Sequence, residues 1–459
     1  MGTKGEGMDM NETNASSNIP PRAWAVVGML FLFMLINFAD KAIIGLSAVP
    51  IMRDLHLTNE QFGKVGSAFF FLFSISAVVV GFIANRVPTR LLLGVMGLIW
   101  ALTQFPMLGT VSLATLFACR IALGAGEGPA YPVAVHALYK WFPNEKRTFP
   151  TSLVAIGGTF GVGFIAPLLT WIIVAYDWHT GFGFLGVIGI VWVVMWMLIG
   201  REGPIDVRQT EVNEQALARV PYAKLLTSRT FLGVTIGGFA AYWAIALAIV
   251  WLPAFLIKAC GYTPTQTGWI VVAPSALQLI AIPGAGFVSQ SLLGRGIESR
   301  ISRGLFASAC IVLAGASMIL LSQSYTPVLQ IPLVMLAVGI GAVIYSLGPP
   351  LISEITPVRQ RGAMLGLSNA VFSLAGLIAP WLTGHIVDVG LDPAAGFRQG
   401  FLLGGCLICA GGLVAAVLIN PTSDLARFNE HGLRHDNSEE AGDGVPFSNS
   451  KVSRGALSS

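Results

Sequence analysis

Along this chain apolar residues gather in long stretches free of charge. Such stretches cover Ala23–Ala39, Val65–Asn85, Leu91–Cys119, Thr148–Tyr176, Thr230–Ile257, Ala259–Gly294, Gly304–Ser353 and Gln399–Ser423. Crossing the hydrocarbon of a bilayer as a helix takes about 20 such residues. The longest stretches therefore hold two crossings each, or one crossing and a loop. Splitting Gly304–Ser353 at "SQSYTP", and the others at charged or Gly/Pro-rich joints, predicts twelve helices. They fall near 23–50, 62–85, 90–109, 112–138, 149–176, 180–200, 230–257, 265–292, 303–322, 327–352, 362–387 and 398–420. The pattern predicts an all-α polytopic membrane protein.

Composition agrees. Charged residues make up 11% of the 459 and hydrophobic ones 54%, where a soluble domain carries roughly 25% charge. The mean hydropathy is +0.72. Lysine and arginine in short loops set orientation. The loops after helices 2, 4, 8 and 10 hold Arg86 and Arg90, then Lys140, Lys146 and Arg147, then Arg295 and Arg300, then Arg359 and Arg361. The opposite loops are poorer, with Arg53, Lys258 and Arg398 the main exceptions. Both termini are thus expected in the cytoplasm of a bacterial cell, with the protein multi-pass in the inner membrane. The first apolar segment lacks a small-residue cleavage site after a short core and reads as a retained helix. Cysteines 119, 260, 310, 406 and 409 lie in or beside apolar segments, and the Cys406-x-x-Cys409 spacing has no nearby His or charge to support redox or metal chemistry. The sequons at Asn11 and Asn14 fall in the cytoplasmic tail, where glycosylation is not expected.

Two faint self-similarities organise the chain. "GFIAN" at 81–85 echoes "GFVSQ" at 286–290, and "PNEKR" at 143–147 echoes "PVRQR" at 357–361. Each pair follows equivalent helices, 2 and 8 or 4 and 10, which predicts two six-helix halves. The expected division is a disordered N-terminus over 1–21, a first bundle over 22–200, a polar linker over 201–229, a second bundle over 230–422 and a disordered tail over 423–459. The linker is marked by Arg201, Glu202, Asp206, Arg208, Glu211 and Glu214. The two ends are too polar and too poor in apolar residues to order alone.

Against this background four charges stand out: Asp40 and Lys41 in helix 1, Arg120 and Glu127 in helix 4. An ionisable group at the bilayer centre costs ~3 kcal/mol or more, so such residues face an internal cavity and mark pathways. At about 1.5 Å per residue, Asp40 lies ~15 Å and Arg120 ~12 Å from the outer ends of their helices, at matching depth. Arg120 and Glu127 are seven apart and share one helix face, which also carries Tyr131. Gly124, Gly126 and Gly128 allow another backbone to come close. The bland alternative is a set of internal ion pairs that hold helices together. Two acids and two bases at related depths favour transport: a fixed base holds an anion, and an acid shielded from water can carry a proton. "GAGEG" does not cradle a nucleotide, since no strand precedes it and no GKS/T follows.

The stretches "RIALGAGEGPAYP", "KWFPNEKR", "WLPAFL" and "GLSNAVFSLAGLIAPWLTGHIVD" resemble the anion:cation symporter family of the major facilitator superfamily, over residues 22–420. The resemblance implies two six-helix bundles and proton-driven uptake of organic anions, with sugar acids and aromatic carboxylates among family substrates. It implies that Asp40 and Glu127 are proton-coupling acids and Lys41 and Arg120 substrate-facing bases, with Thr159, Ser346 and Asn369 as polar cavity positions. The departures are informative. Lys41 stands where the family usually has Arg, which keeps the charge but gives up the bidentate fork. Phe38 and Phe73 stand where sugar-acid carriers tend to have Tyr, which points to a substrate that is not heavily hydroxylated. Asn85 and Gln290 occupy positions of the usual cytoplasmic charge latch. Helix 7 is expected to bend near Pro253.

The expected partners are thus a small organic anion, carboxylate or sulfonate, protons and the lipid bilayer, with no nucleic acid, cofactor or metal, in a monomer. A sugar-acid:proton symporter is the alternative within the family. An organophosphate:phosphate antiporter would want a buried base in helix 7, which has none, and a drug:proton antiporter would not need paired bases. A transporter-like receptor or scaffold would bind without accumulating. No nucleophile-base-orienter set suggests an enzyme.

Overall fold

The computed structural model describes residues 19–83, 87–142, 148–204, 220–324 and 326–428, and no strand occurs among them. The first half contains α1 (Pro21–Leu46), α2 (Ala48–Asp54), α3 (Asn59–Ile83), α4 (Thr89–Gln104), α5 (Leu113–Glu127), α6 (Ala130–Tyr139), α7 (Thr148–Ala175) and α8 (Trp178–Ile199). After the short α9 (Tyr222–Leu226) come α10 (Arg229–Val250), α11 (Leu252–Lys258), α12 (Pro264–Ile270), α13 (Ala273–Gly294) and α14 (Phe306–Gln323). The chain ends in α15 (Pro327–Gly339), α16 (Ile344–Ile355), α17 (Val358–Val389) and α18 (Pro393–Leu418). Several crossings are composite: α5 with α6, α10 with α11, α12 with α13, and α15 with α16. Ten described spans are long and apolar enough to cross a membrane; α3 and the α5–α6 pair complete twelve crossings in two helical bundles.

Breaks fall where backbone chemistry demands them. The seventh crossing parts at Trp251, two residues before Pro253, which takes one of the first positions of α11, where a missing N–H costs nothing. Helix starts at the end of the bundles opposite the termini are capped by side chains, Ser112, Asp177, Thr263 and Asp392 each accepting from a backbone N–H three residues on. Such a cap contributes ~1 kcal/mol. The Thr180 backbone N–H beside Asp177 holds that carboxyl below its usual range.

At this far end one apolar cluster joins both bundles. Ile43, Ile44, Ile51 and Phe62 of the first half pack with Val250, Trp251, Phe255 and Phe397 of the second. Backbones approach closely there: a Cβ on Gly45 would lie 2.0 Å from the Ile249 carbonyl, and one on Gly63 2.4 Å from that of Pro380. Polar contacts seal the rim. The Asp388 carboxylate of α17 accepts from the backbone N–H groups of Asn59 (3.0 Å) and Glu60 (2.6 Å), capping α3 from the other bundle. Glu60 in turn meets His385 Nδ1 at 2.9 Å and Lys64 at 2.7 Å.

At the end carrying the termini the described apolar residues fall instead into separate clusters. One lies within the first bundle, from Ala23 to Trp196, and one within the second, around Leu351, Ile355 and Ile419. Among the described residues the buried apolar cluster shared by the two bundles lies at the far end. Within the first bundle Glu202 accepts from Lys140 (2.6 Å), the Arg90 N–H (2.7 Å) and Thr89 (3.0 Å). Burial acts to raise the Glu202 carboxyl, and these bonds outweigh it and hold it below its ordinary value.

The expected tail begins inside structure. Residues 421–428 are helical, and the buried Asp424 accepts from the N–H groups of Arg229 (3.2 Å) and Thr230 (2.7 Å), capping α10. The expected boundary at 423 thus lies within this helix. Asn85, the sequons at Asn11 and Asn14, and most of the linker acids lie outside the described residues.

Candidate functional site

The four intramembrane charges lie close together. Asp40, Arg120 and Glu127 are no more than 2% exposed and Lys41 is 6% exposed. Lys41 Nζ lies 2.7 Å from Glu127 Oε2 and also donates to Asn37 Oδ1, one helical turn earlier. Asp40 feels the charges of Glu127, Lys41 and Arg120. The three guanidinium nitrogens of Arg120 and the Asp40 Oδ1 atom have no hydrogen-bond partner among the described residues. Two cations and two anions leave the cluster formally neutral, the condition under which buried charge is tolerable.

Local sequence explains how the cluster is built. Gly124 and Gly128 bring α5 against α3, since a Cβ would lie 1.9 Å from the Phe69 carbonyl at the first and 2.0 Å from the Phe73 carbonyl at the second. That approach sets Phe69 under Arg120, whose guanidinium carbon stands 4.8 Å from the ring centre. The Lys41 ammonium lies 4.7 Å from the Phe38 ring, 5.6 Å from Phe73 and 5.8 Å from Phe69. Each such contact is worth up to ~2 kcal/mol when desolvated. The aromatic faces thus supply part of what water would give these cations.

A cavity of about 120 Å³ lies between the bundles beside this cluster, with Phe38, Lys41 and Val162 on one side and Ile249, Ser275 and Gln278 on the other. Lys41 is the charged residue in its lining. Of the expected site residues the structure therefore places Lys41 and Phe38 on this cavity wall. Asp40, Arg120 and Glu127 sit behind it, and Phe73 packs edgewise against Phe70 and at 5.4 Å from Phe69. Thr159 follows Gly158, whose Cβ position is filled by the Phe38 ring. Thr159 and Ser346 are half-buried and Asn369 is exposed; none of the three lines this cavity.

The helix is interrupted at Gly128–Pro129, and Tyr131 lies past the break, 42% exposed. Proline lacks the N–H that would carry the ladder on. Sequence reasoning also missed Asn37, Phe69, Ser275 and Gln278. Asn37 was findable, four residues before Lys41 and hence on its face. Phe69 opens an undifferentiated "FFF" run, and Ser275 is a lone small polar residue in an apolar stretch, so neither carried a signal.

The sequence profile described as Major Facilitator Superfamily matches residues 30–329 and 234–454. The probable galactarate/D-glucarate transporter GudP of Bacillus subtilis is 26% identical over 394 residues, covering 80% of this chain and 86% of that protein. The probable sulfoacetate transporter SauU of Cupriavidus necator is 25% identical, covering 86% and 93%. The D-galactonate transporter of Escherichia coli O6:H1 is also 25% identical, covering 84% and 94%. Among solved structures, a bacterial homologue of the human lysosomal transporter Spinster, inward-facing and occupied, superposes with a TM-score of 0.75 at 16% identity, covering 89% of this chain and 99% of that one.

Proposed function

This chain belongs to the major facilitator superfamily, in its anion:cation symporter type, and is a transporter of acid substrates rather than an enzyme; from that premise we propose that it imports a small organic monoanion together with a proton. The observation that carries the proposal is the 2.7 Å contact between Lys41 and Glu127 at the edge of the cavity. Lys41 has one ammonium to offer and two claimants for it, the Glu127 carboxylate and an anion in the cavity. Protonating Glu127 removes its charge and leaves the cluster with one positive charge in excess. An anion entering the cavity restores neutrality. Losing the proton returns Lys41 to Glu127 and expels the anion. Buried charge that must balance in every state couples the two fluxes without any group touching both ligands at once.

Asp40, whose Oδ1 is unpartnered, serves as a second acid in this balance, and Arg120 as the fixed countercharge that keeps the site receptive to anions. Phe38 and Phe73 screen Lys41, while Tyr131, Thr159, Ser346 and Asn369 supply polar contacts along the route. The bundles rock about this site, exposing it to each side in turn. With the termini cytoplasmic, as the loop lysines and arginines suggest, the closed far end faces outward and the present state is the one that releases cargo inside. The protein works as a monomer in a bacterial inner membrane, and the sealed rim at Asp388 and Glu60 is its outer gate.

The names of several relatives favour a second reading, a sugar acid as cargo. The cavity wall argues for a less hydroxylated one. The proposal is tested in proteoliposomes with the acid that most stabilises the purified protein in a thermal-shift screen spanning sulfoacetate, benzoate and D-galactonate. Accumulation above equilibrium is expected with an inward proton gradient and absent without one. Equal accumulation in the two conditions contradicts proton symport.

A further inference from the structure

The three rings of the "FFF" run on α3 point three ways, as successive positions of a helix must. Phe69 lies under Arg120, Phe71 is 53% exposed, and Phe70, 1% exposed, crosses to the second bundle. There it fills a notch on α17, where a Cβ on Gly376 would lie 2.4 Å from its ring. It also stands edge-on to Tyr242 of α10, with ring centres 5.9 Å apart. On its own side Phe70 meets Phe69 edge-on at 4.9 Å and Phe73 at 6.2 Å. Those are two of the rings that face the Lys41 ammonium, at 5.8 and 5.6 Å. A series of ring contacts thus runs from the buried cations of the first bundle to two helices of the second. It crosses a seam that has to part. Further out along the same two helices, the Trp381 backbone N–H donates to Ser67 Oγ at 3.2 Å, and Asp388 caps α3. When the outer end opens, α3 and α17 separate there and Phe70 leaves its notch.

Resting on the reading of Lys41 and Glu127 given above, we infer that Phe70 is a positioning residue that couples the charge cluster to the outer gate. With Lys41 paired to Glu127, the ammonium lies against Phe69 and Phe73, and the three rings pack with Phe70 seated on Gly376. Lys41 drawn to an anion leaves those faces. The rings it held repack, and Phe70 loses the support that seats it. A close-packed cluster answers such a shift by switching between arrangements rather than by yielding gradually, so the seam at Ser67 and Asp388 loosens. Charge balance makes proton and anion bind together; the ring contacts carry that event to the second bundle. By reciprocity the site holds its cargo more tightly while open to the outside than after closing, which favours loading outside and release inside.

The coupling is measured without any cargo by a double-mutant cycle on the purified protein. A thiol introduced by Ser67→Cys, at a position 5% exposed in the closed seam, reports opening through its rate of reaction with a maleimide, followed at that residue by mass spectrometry. Glu127→Gln releases Lys41 and should raise that rate at least about fivefold. Phe70→Leu fills most of the notch but offers no ring to Phe69 and Phe73. It should leave the starting rate within a few-fold of its parent and cut the response to Glu127→Gln below about twofold. Gly63→Ala, whose Cβ would lie 2.4 Å from the Pro380 carbonyl, wedges the seam and sets the rate of the open protein, which separates a lost response from a ceiling. An equal response with and without Phe70→Leu overturns the inference, and so does no response in the parent. Saturating sulfoacetate or benzoate draws Lys41 from the other side and covers the case in which a Glu127→Gln protein does not fold. Either acid should raise the rate at least about fivefold in the parent and less than about twofold in Phe70→Leu, with affinity kept within a few-fold. Affinity and response lost together would place Phe70 in the build of the site itself and also overturn the inference. If Glu127→Gln moves the seam through Phe70 while neither acid binds, the coupling stands and the anion reading alone fails.

Discussion

Replacing Glu127 by Gln should leave a carrier that exchanges substrate but cannot concentrate it. The amide keeps the shape of the side chain and fixes it in the uncharged state. Lys41 then stays free for the anion in every conformation, so the loaded protein binds and cycles. Net uphill transport requires a proton to leave on the inside, and glutamine has none to release. Counterflow between preloaded vesicles and medium should therefore persist within a few-fold of wild type, while accumulation driven by a proton gradient falls to the level of passive equilibration. If Glu127 only holds α5 to α1 through Lys41, the same change removes a buried ion pair, which costs ~3–5 kcal/mol when one partner is lost. Both activities would then fall together with the melting temperature. Measuring counterflow, gradient-driven uptake and thermal unfolding on one preparation distinguishes these outcomes.

The second large effect is expected at Lys41. Changing it to Met keeps most of the apolar stem and removes the charge beside the cavity. An anion entering that site meets Glu127 and Asp40 with Arg120 alone to offset them. Loss of one partner of a desolvated charge pair costs ~2–5 kcal/mol, so binding of the transported acid should weaken by at least about thirtyfold. Lys41→Arg keeps the charge, but its planar fork must fit a space walled by Phe38, Phe69 and Phe73. It should retain more binding than Met and less than wild type, because lysine and arginine differ in shape and hydration. Titration calorimetry with the same acid on all three proteins measures this. Equal affinities in wild type and Lys41→Met would remove Lys41 from the site.

Much of the architecture was legible because a bilayer allows so few solutions. Every backbone polar group must be satisfied within the crossing segment, so uncharged runs had to be helices, and charge placement marked their ends. The four buried charges were equally visible, since isolated ionisable residues in such runs are costly. What they do to each other was not. Sequence spacing placed Asp40 and Arg120 at matching depth, and the family resemblance implied that Lys41 and Arg120 both face the substrate. The packing puts Lys41 on the cavity wall and Arg120 behind it, over Phe69. That distinction depends on which α3 side chain the close approach at Gly124 brings under the guanidinium, a contact between residues more than fifty positions apart. The outer rim was hidden for the same reason. Asp388 ends α17 and reads as an ordinary loop-proximal acid, yet it caps a helix of the other bundle. At Tyr131 the turn count assumes a continuous helix, which the structure interrupts at Gly128–Pro129.

The central claim, that a proton on Glu127 and an anion in the cavity exchange places at Lys41, is tested most directly by counting protons during binding. Calorimetric titration of the purified protein with its transported acid, in two buffers of different ionisation enthalpy at the same pH, yields the number of protons taken up per anion bound. Competition for Lys41 predicts uptake of about one proton by the wild type at a pH where free Glu127 is ionised, and about none by Glu127→Gln, since binding and protonation are reciprocal. Anion binding by the wild type with no proton uptake across the neutral range, or with equal uptake by Glu127→Gln, would contradict it.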